Sequence, residues 1–250
     1  MRLYYHTTSS ASMRVTLYLR LRGIAITLVE TGFETDHRGI PVFTMPKGDP
    51  ETVKRGTTDL TAFNPEGRVP VLLLDDGRMM TQTGPIMEYL EETVPAGSGP
   101  SLLPKDAWDR AQARRIASII AADTQPYQNV PFIIQAIGEW GLAKAPPLVH
   151  PLRCHYIRRE FGAIETILEQ TAGRYAVGNE ITVADCFLVP QVRNALLAGI
   201  DLPGEFPVLS RVWENATAVP EFAEVIAEAG GIVQNFVFDE ERFEVYTAPG

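Results

Sequence analysis

The chain opens with a short apolar run, a cluster of hydroxyl side chains and a helical pattern, and this stretch decides the fold: Leu3-Tyr4-Tyr5-His6-Thr7-Thr8-Ser9-Ser10-Ala11-Ser12-Met13-Arg14-Val15. The apolar run Leu3-Tyr4-Tyr5 predicts a strand. The alternation of apolar and basic residues from Met13 to Arg22, ending at Gly23, predicts a helix with a hydroxyl N-cap. Ile24–Val29 predicts a second strand, which a right-handed crossover makes parallel to the first.

The same unit continues with a predicted hairpin and a second helix. Val69–Leu74 predicts a strand, Asp75-Asp76-Gly77 a tight turn and Arg78-Met79-Met80 its antiparallel partner. Thr83 is the expected N-cap of a helix over Pro85–Glu92, which has proline in its first turn. The order βαβ followed by ββα predicts an α/β domain.

The rest of the chain has a different composition. Residues 31–62 show little periodicity, so we expect a long loop there, of a length typical of functional or mobile segments. Residues 94–105 are rich in proline, glycine and serine and predict a linker between domains 1–93 and 106–250. Residues 230–250 show no clear pattern. Helical periodicity predicts that the second domain is all-α. The predicted helices are Asp106–Gln125, Tyr127–Gly138, Leu152–Thr171, Val183–Leu197, Val208–Ala218 and Glu221–Ala229.

Composition excludes several classes of protein. The 250 residues carry a formal net charge of −9, which disfavours binding to nucleic acid. No apolar run is long enough for a membrane helix and no signal peptide is evident, so we expect a cytoplasmic protein. Cys154 and Cys186 are far apart and have no metal-ligand spacing, so they predict buried thiols rather than a disulfide or a metal site.

Three short motifs can carry chemistry. The N-terminal helix end at Ser9, Ser10 and Ser12 offers free N–H groups and hydroxyls that stabilise an anion or a thiolate, but an ordinary N-cap needs the same residues. Val69-Pro70 is either a tolerated strand-initial proline or a cis peptide that exposes the main chain of Val69 to an extended ligand. Gln82-Thr83 is either a cap or a carboxylate site.

A fourth motif, Thr182-Val183-Ala184-Asp185, is a capping box with a structural role.

Together, in this order, the four motifs resemble those of the glutathione transferase superfamily and of its zeta class, the maleylacetoacetate isomerases. That class carries Ser-Ser-Cys-Ser-x-Arg-Val where this chain has Ser9–Val15. The resemblance continues through Asn64-Pro65-x-x-x-Val69-Pro70, Gln82-Thr83, Glu88-Tyr89-Leu90-Glu91-Glu92, Leu102-Leu103-Pro104, Gln125-Pro126-x-Gln128-Asn129, Val177-Gly178-x-Glu180 and Ala184-Asp185-x-x-Leu188-Val189-Pro190-Gln191-Val192.

The resemblance implies a thioredoxin-like domain that binds glutathione, an all-helical substrate-binding domain, and a homodimer. It implies that Ser9 or Ser10 donates a hydrogen bond to the thiolate, with Ser12 and Arg14 as supporting or structural groups of the catalytic turn. The implied glutathione contacts are Ser9 and Ser10 at the thiol, Val69 and a cis Pro70 at the cysteinyl backbone, Gln82 and Thr83 at the γ-glutamyl end, and Gln125 from the second domain.

The reaction implied is glutathione-dependent cis–trans isomerisation of maleylacetoacetate, or of a related unsaturated keto acid or natural-product intermediate. Addition of the thiolate converts the double bond into a rotatable single bond, and elimination returns the trans isomer. Conjugation of glutathione to electrophiles, dehalogenation and a non-catalytic binding role are the alternatives. Tyr4 or Tyr5 could activate the thiol, as tyrosine does in other classes, although their strand position favours core packing.

Two positions depart from the family pattern. Ala11 replaces the cysteine of the zeta signature. Leu197 stands where the family places an arginine for the substrate carboxylate, and Arg193, one turn earlier on the same helix face, could supply that charge. Alternatively, the substrate site is apolar at this point, and the loop 31–62 shapes the pocket.

Overall fold

The computed structural model describes residues 1–35, 41–95, 99–129 and 145–230, together with residues 132, 133, 135, 136, 139 and 141. The chain divides into two compact units, Met1–Pro100 and Ser101–Gly250. The division falls within the stretch 94–105 proposed as a linker. The tail from residue 231 onward and most of the predicted helix Tyr127–Gly138 lie outside the described residues.

A sheet forms the centre of the first unit. In chain order its elements are β1 (Arg2–Tyr5), α1 (Ser10–Leu21), β2 (Thr27–Glu30), β3 (Gly32–Thr35), β4 (Pro41–Thr44), α2 (Pro50–Arg55), a 3₁₀ turn (Leu60–Ala62), β5 (Val71–Leu73), β6 (Met79–Thr81) and α3 (Thr83–Thr93). Within the described residues the main sheet has the order β2-β1-β5-β6, with β1 parallel to β2 and antiparallel to β5. The predicted thioredoxin-like arrangement, βαβ followed by ββα, is confirmed.

Helix α1 forms because its ends are well defined and most of its length is buried. Ser9 is the N-cap, and Gly23 adopts a φ of 62° just after the last turn. That left-handed conformation favours glycine and ends the helix with hydrogen bonds from Gly23 to the carbonyl of Arg20 and from Ile24 to that of Leu19. The helix therefore begins at the Ser9 hydroxyl and ends at Gly23, as predicted.

The expectation of a long loop over residues 31–62 is wrong. Strands β3 and β4 pair in an antiparallel hairpin, and α2 follows it. The helix begins because Asp49 caps it and Pro50 occupies its first position, and it ends at Gly56, whose φ is 68°. These local signals were present in the sequence but lay in a stretch with few apolar residues.

Asp49 also ties α2 to the sheet. Its carboxylate accepts hydrogen bonds from the Tyr4 hydroxyl at 2.9 Å and from the Arg2 guanidinium at 2.9 Å. Burial and the Asp49 carboxylate raise the pKa of Tyr4 to about 12. Tyr4 is fully buried and belongs to the core cluster of this unit, with Met45, Leu60, Phe63, Val69, Val71 and Leu73. Core packing is therefore the role of Tyr4.

The described residues of the second unit form helices, as predicted. They are α4 (Ala107–Ser118), continued by a π turn (Ile119–Thr124) and a 3₁₀ turn (Gln125–Tyr127), then α5 (Ala145–Thr171), α6 (Val183–Leu197), α7 (Leu202–Glu205), α8 (Pro207–Thr217) and α9 (Pro220–Glu228). Cys154 and Cys186 are both buried and are not joined in a disulfide. Within the described part of the chain, no helix has the length and apolar character needed to cross a membrane.

The predicted capping box opens α6. The Thr182 hydroxyl accepts a hydrogen bond from the N–H of Ala184 at 3.2 Å and donates one to Asp185 at 3.1 Å. The Asp185 carboxylate also accepts the N–H groups of Thr182 and Ala176, at 2.8 and 2.9 Å. Both side chains are buried, so water cannot reach their polar groups and these hydrogen bonds satisfy them instead.

We expect Thr182→Ala to lower the free energy of unfolding by about 2 kcal/mol, because it removes the cap and one hydrogen bond to a buried carboxylate. Thr182→Ser keeps the hydroxyl and is the matched control. Urea denaturation monitored by circular dichroism measures both. Equal midpoints for the two variants would contradict a stabilising role for the hydroxyl.

Candidate functional site

Sheet register brings three separate segments to one edge of the first unit. Tyr4 of β1 pairs with Val71 of β5, and Val71 pairs with Thr81 of β6. The residues that follow β1, precede β5 and follow β6 therefore lie at the same edge. These are residues 6–10, the Val69-Pro70 pair and residues 82–83, which the sequence offered as three independent signals.

Ser9 is placed at this edge by its role as the N-cap of α1. Its Oγ accepts a hydrogen bond from the N–H of Ser12 at 3.3 Å. A hydroxyl that accepts still has a proton to donate, and no described residue accepts the proton of Ser9. The side chain is partly exposed and lies at the positive end of the helix dipole. The arrangement can stabilise an anion next to the Ser9 hydroxyl.

The other predicted residues of this turn are buried. Ser10 is 6% exposed, and Ser12 is fully buried, with its Oγ accepting the N–H of His6 at 3.2 Å. Ser12 therefore fastens the end of β1 to the first turn of α1. Arg14 is also buried, and burial lowers the pKa of its guanidinium to about 9. Ser12 thus supports the turn that holds Ser9, and the supporting role of Arg14 stays a prediction.

Val69 presents main-chain groups at the same edge. The Val69-Pro70 peptide bond is cis, and the Val69 side chain packs into the core. Its N–H and C=O have no hydrogen-bond partner among the described residues. Asn64 fixes the preceding loop, because its buried amide donates to the carbonyl of Arg68 at 2.7 Å and accepts the N–H of Glu66 at 3.0 Å. The main chain of Val69 can therefore pair with an extended ligand.

Helix α3 begins at the third segment, and its N-cap differs from the prediction. Gln82, not Thr83, is the cap residue, and Thr83 is the first residue of the helix. Gln82 adopts a φ of 69°, and its side chain makes no capping bond. The first N–H groups of α3 thus have no side-chain cap, and they favour a carboxylate at this end.

Sequence reasoning missed Glu66. The side-chain Nε2 of Gln82 donates to both carboxylate oxygens of Glu66, at 3.0 and 2.7 Å. Glu66 stands inside the Asn64-Pro65-x-x-x-Val69-Pro70 motif, at a position that the motif leaves open. The one sign of its role in the sequence was that a charged residue stands between the two ends of this motif, Asn64-Pro65 and Val69-Pro70.

The site residues predicted in the second unit occupy buried positions there. Gln125 is 9% exposed and begins the 3₁₀ turn after α4. Its reach toward glutathione stays a prediction. Leu197 is the last residue of α6 and is also 9% exposed. Its side chain is apolar, and its place in a substrate site stays a prediction.

Arg193 has a structural partner. It is 7% exposed, and its Nη2 donates to the carbonyl of Ala229, just after α9, at 2.6 Å. Burial lowers the pKa of its guanidinium. This contact holds the end of α9 and competes with the predicted role of Arg193 in binding a substrate carboxylate, which stays a prediction.

Comparison with known proteins defines the class to which this fold and site belong. Residues 8–93 match the model of the glutathione S-transferase N-terminal domain, and residues 150–229 match that of the C-terminal domain. The chain belongs to the glutathione S-transferase family.

Several relatives in that family are named as isomerases. The chain is 35% identical over 220 residues to maleylacetoacetate isomerase of Mus musculus, covering 88% of this chain and 89% of that protein. It resembles the holo structure of a bacterial maleyl pyruvate isomerase of the zeta class, with a TM-score of 0.73, 26% identity and coverage of 94% and 99% of the two chains. Maleylacetoacetate isomerase from Methylobacterium extorquens, with bound malonate and glutathione, gives a TM-score of 0.73, 28% identity and coverage of 90% and 95%.

We expect Arg193→Ala to lower the free energy of unfolding by about 2 kcal/mol, since it removes a charged hydrogen bond from a buried carbonyl. Arg159→Ala, which removes an exposed guanidinium from α5, is the control and should change stability by less than about 0.5 kcal/mol. KM for an acidic substrate, measured at a temperature where both variants are folded, should stay unchanged. An increase in KM confined to Arg193→Ala would show that this guanidinium binds the substrate carboxylate.

Proposed function

We propose that this protein is a glutathione-dependent cis–trans isomerase that acts on a small conjugated cis enone or enedione, of the class of maleylacetoacetate or a related unsaturated keto acid. The observation that supports this most directly is the convergence of Ser9, the main chain of Val69 and the start of α3 at one sheet edge. The 35% identity to mouse maleylacetoacetate isomerase points to the same reaction.

The groups at this edge fit the chemistry of glutathione. The tripeptide carries a thiol, an extended cysteinyl main chain and a γ-glutamyl end with an α-carboxylate. Ser9 offers a hydroxyl donor for the sulfur, Val69 offers one N–H and one C=O for the main chain, and the uncapped start of α3 offers N–H groups for the carboxylate. The thiol, the cysteinyl main chain and the γ-glutamyl α-carboxylate of the ligand thus each have a matching group in the chain.

Ionisation of the thiol is the step that the protein must promote. Bound glutathione supplies the thiolate that adds reversibly to the conjugated double bond, so that rotation precedes elimination. Ser9 donates a hydrogen bond toward the sulfur, and the N-terminus of α1 stabilises the negative charge, so both lower the pKa of the thiol. Ser12 keeps Ser9 in place by bonding the main chain of His6. Preorganised donors of this kind need no rearrangement during the reaction.

A second substrate class has support from the second unit. Leu197 is apolar and buried, and Arg193 is bonded to Ala229. Neither residue then offers a free charge for a carboxylate at the end of α6. A substrate that lacks this acid, or places it elsewhere, fits the arrangement better than one that needs an arginine at position 197. Ala11 likewise removes the thiol that the zeta signature places beside the glutathione sulfur.

The decisive experiment is ultraviolet difference spectroscopy of the protein titrated with glutathione at pH 5 to 9. We expect a saturable thiolate band at neutral pH, because the site lowers the pKa of the thiol below its ordinary value of about 8.5. The Ser9→Ala, Ser10→Ala double variant should lose the band at pH 7. Ser9→Thr with Ser10→Ala should recover it, since threonine keeps a hydroxyl at the N-cap, and Ser118→Ala on α4 is a control that should behave as the wild type.

Two results would contradict the proposal. Ionisation of bound glutathione at pH 7 by the double variant would exclude the serines as hydrogen-bond donors to the thiolate. Absence of any band in the wild type would favour the non-catalytic alternative. Maleylacetone, tested with and without glutathione, then separates isomerisation, which regenerates glutathione, from conjugation, which consumes it.

Homodimerisation and a cytoplasmic location are also part of the proposal. Both rest on the resemblance to glutathione transferases and on the composition of the chain. Sedimentation equilibrium measures the first, with a mass twice the 27.6 kDa of one chain as the expected result.

A further inference from the structure

Arg153, on α5, is a buried cation whose guanidinium is mostly unpaired. The residue is 7% exposed, and its Nη2 donates to the carbonyl of Asn194 at 3.2 Å. In the part of the chain that the structure describes this is its single hydrogen bond, so Nε and Nη1 have no partner, and Nε is shielded from solvent. A guanidinium has five N–H donors and stays protonated at neutral pH. Most of these donors are therefore available to a ligand.

No negative charge of the described residues compensates this cation. None of their aspartates or glutamates lies within ion-pair distance of Arg153, and burial raises the pKa of the neighbouring Cys154 thiol, which is neutral at pH 7. Burial lowers the pKa of the Arg153 guanidinium, as expected of a cation removed from water without a counterion. Buried charges normally have a counterion or a full set of hydrogen bonds. An anion from outside the chain would supply what Arg153 lacks.

His150 adds a second unpaired polar atom to the same face of α5. It precedes Arg153 by three residues and Cys154 by four, so the three side chains are neighbours on the helix surface. Its Nδ1 is buried and has no hydrogen-bond partner among the described residues, while its Nε2 lies 3.6 Å from the Cys154 Sγ. Buried polar atoms in proteins are nearly always paired. Two exceptions on one helix face indicate a site for a polar ligand.

This face of α5 lies against the last turn of α6. Arg153 bonds the carbonyl of Asn194. The Cys154 thiol donates to the carbonyl of Ala198 at 3.7 Å. These two contacts bracket Leu197 along the chain. The turn needs no cap from Arg153, because the carbonyl of Asn194 also accepts the N–H of Ala198 at 3.1 Å. Arg153 therefore brings a positive charge to a turn where Leu197 has none.

We propose that Arg153 forms a carboxylate-binding site of the second unit and that the acid group of the unsaturated keto acid is its ligand. This inference rests on the proposed function. A guanidinium binds a carboxylate through two parallel N–H bonds, and the second N–H of Nη2 together with Nε or Nη1 can supply them. Arg153, and not Arg193, then selects for an acidic substrate. The competing explanation is that Arg153 only stabilises the negative C-terminal end of α6, as basic residues at that end of a helix do.

Two substrates that differ only in their acid group distinguish these explanations. Maleylacetone carries a carboxylate, and its methyl ester does not. Their glutathione-dependent isomerisation is followed with the wild type and with Arg153→Met. We expect Arg153→Met to raise KM for maleylacetone roughly tenfold, the size of one hydrogen-bonded charge pair. Its kcat for maleylacetone and its KM for the ester should stay nearly unchanged, because neither depends on the bound acid group.

Two further variants control this comparison. Arg153→Lys keeps the charge without the two-bonded geometry and should restore part of the lost affinity for maleylacetone. Arg158→Met removes from the same helix a partly exposed guanidinium that pairs with Glu205, and it should behave as the wild type. Thermal melts of each variant show whether the fold is intact.

Binding of maleate in the absence of glutathione tests the site without the reaction. Isothermal titration calorimetry should give a Kd that is roughly tenfold lower for the wild type than for Arg153→Met. Equal Kd values for the two proteins would contradict the inference. A change in KM that is the same for maleylacetone and its ester, or absent for both, would show that Arg153 acts on α6 alone. If the wild type isomerises neither substrate but binds maleate through Arg153, the proposed function is wrong and the carboxylate site is retained.

Discussion

The pairing of β5 with β1 is the constraint on which the rest of the first unit depends. Because Val71 lies opposite Tyr4, the loop before β5 ends beside the turn that leads into α1, and β6 carries the start of α3 to the same edge. A shift of one residue would place Leu72 opposite Tyr4 and exchange the two faces of β5, both of which are buried, so the packing on each side would be lost. The buried side chains of Tyr4, Val71 and Leu73 oppose that shift, so the core that stabilises the sheet also aligns the site.

How well the fold was predicted depended on how local each signal was. Ser9 with Gly23, and Thr182 with Asp185, define helix ends through contacts within a few residues, and both were readable from the sequence. The pairing of β3 with β4 was missed because both strands have only four residues and show little alternation of apolar and polar side chains. Helix α2 was missed although Asp49-Pro50 is an ordinary helix start, since its six residues are too few to show a period.

The same difference between local and distant contacts separates the site residues that the sequence indicated from those it did not. Ser9, Val69 and Gln82 were proposed from the sequence because their motifs join a residue type to a position at the end of an element. Glu66 was missed because its bond to Gln82 crosses 16 residues, and the bond from Arg193 to Ala229 crosses 36. Neither contact has a pattern in the sequence. Roles that depend on such distant partners need the folded chain.

Gln82 shows what the position at the start of α3 demands of the chain. A residue with a side chain is held at a φ of 69°, where glycine would be the easy choice. Non-glycine residues in that region cost about 1 kcal/mol or more. Glycine would remove the cost together with the amide that orients Glu66. Backbone strain and the contact with Glu66 therefore make opposite demands on this residue, and random mutagenesis screened only for heat resistance is expected to favour its replacement by glycine.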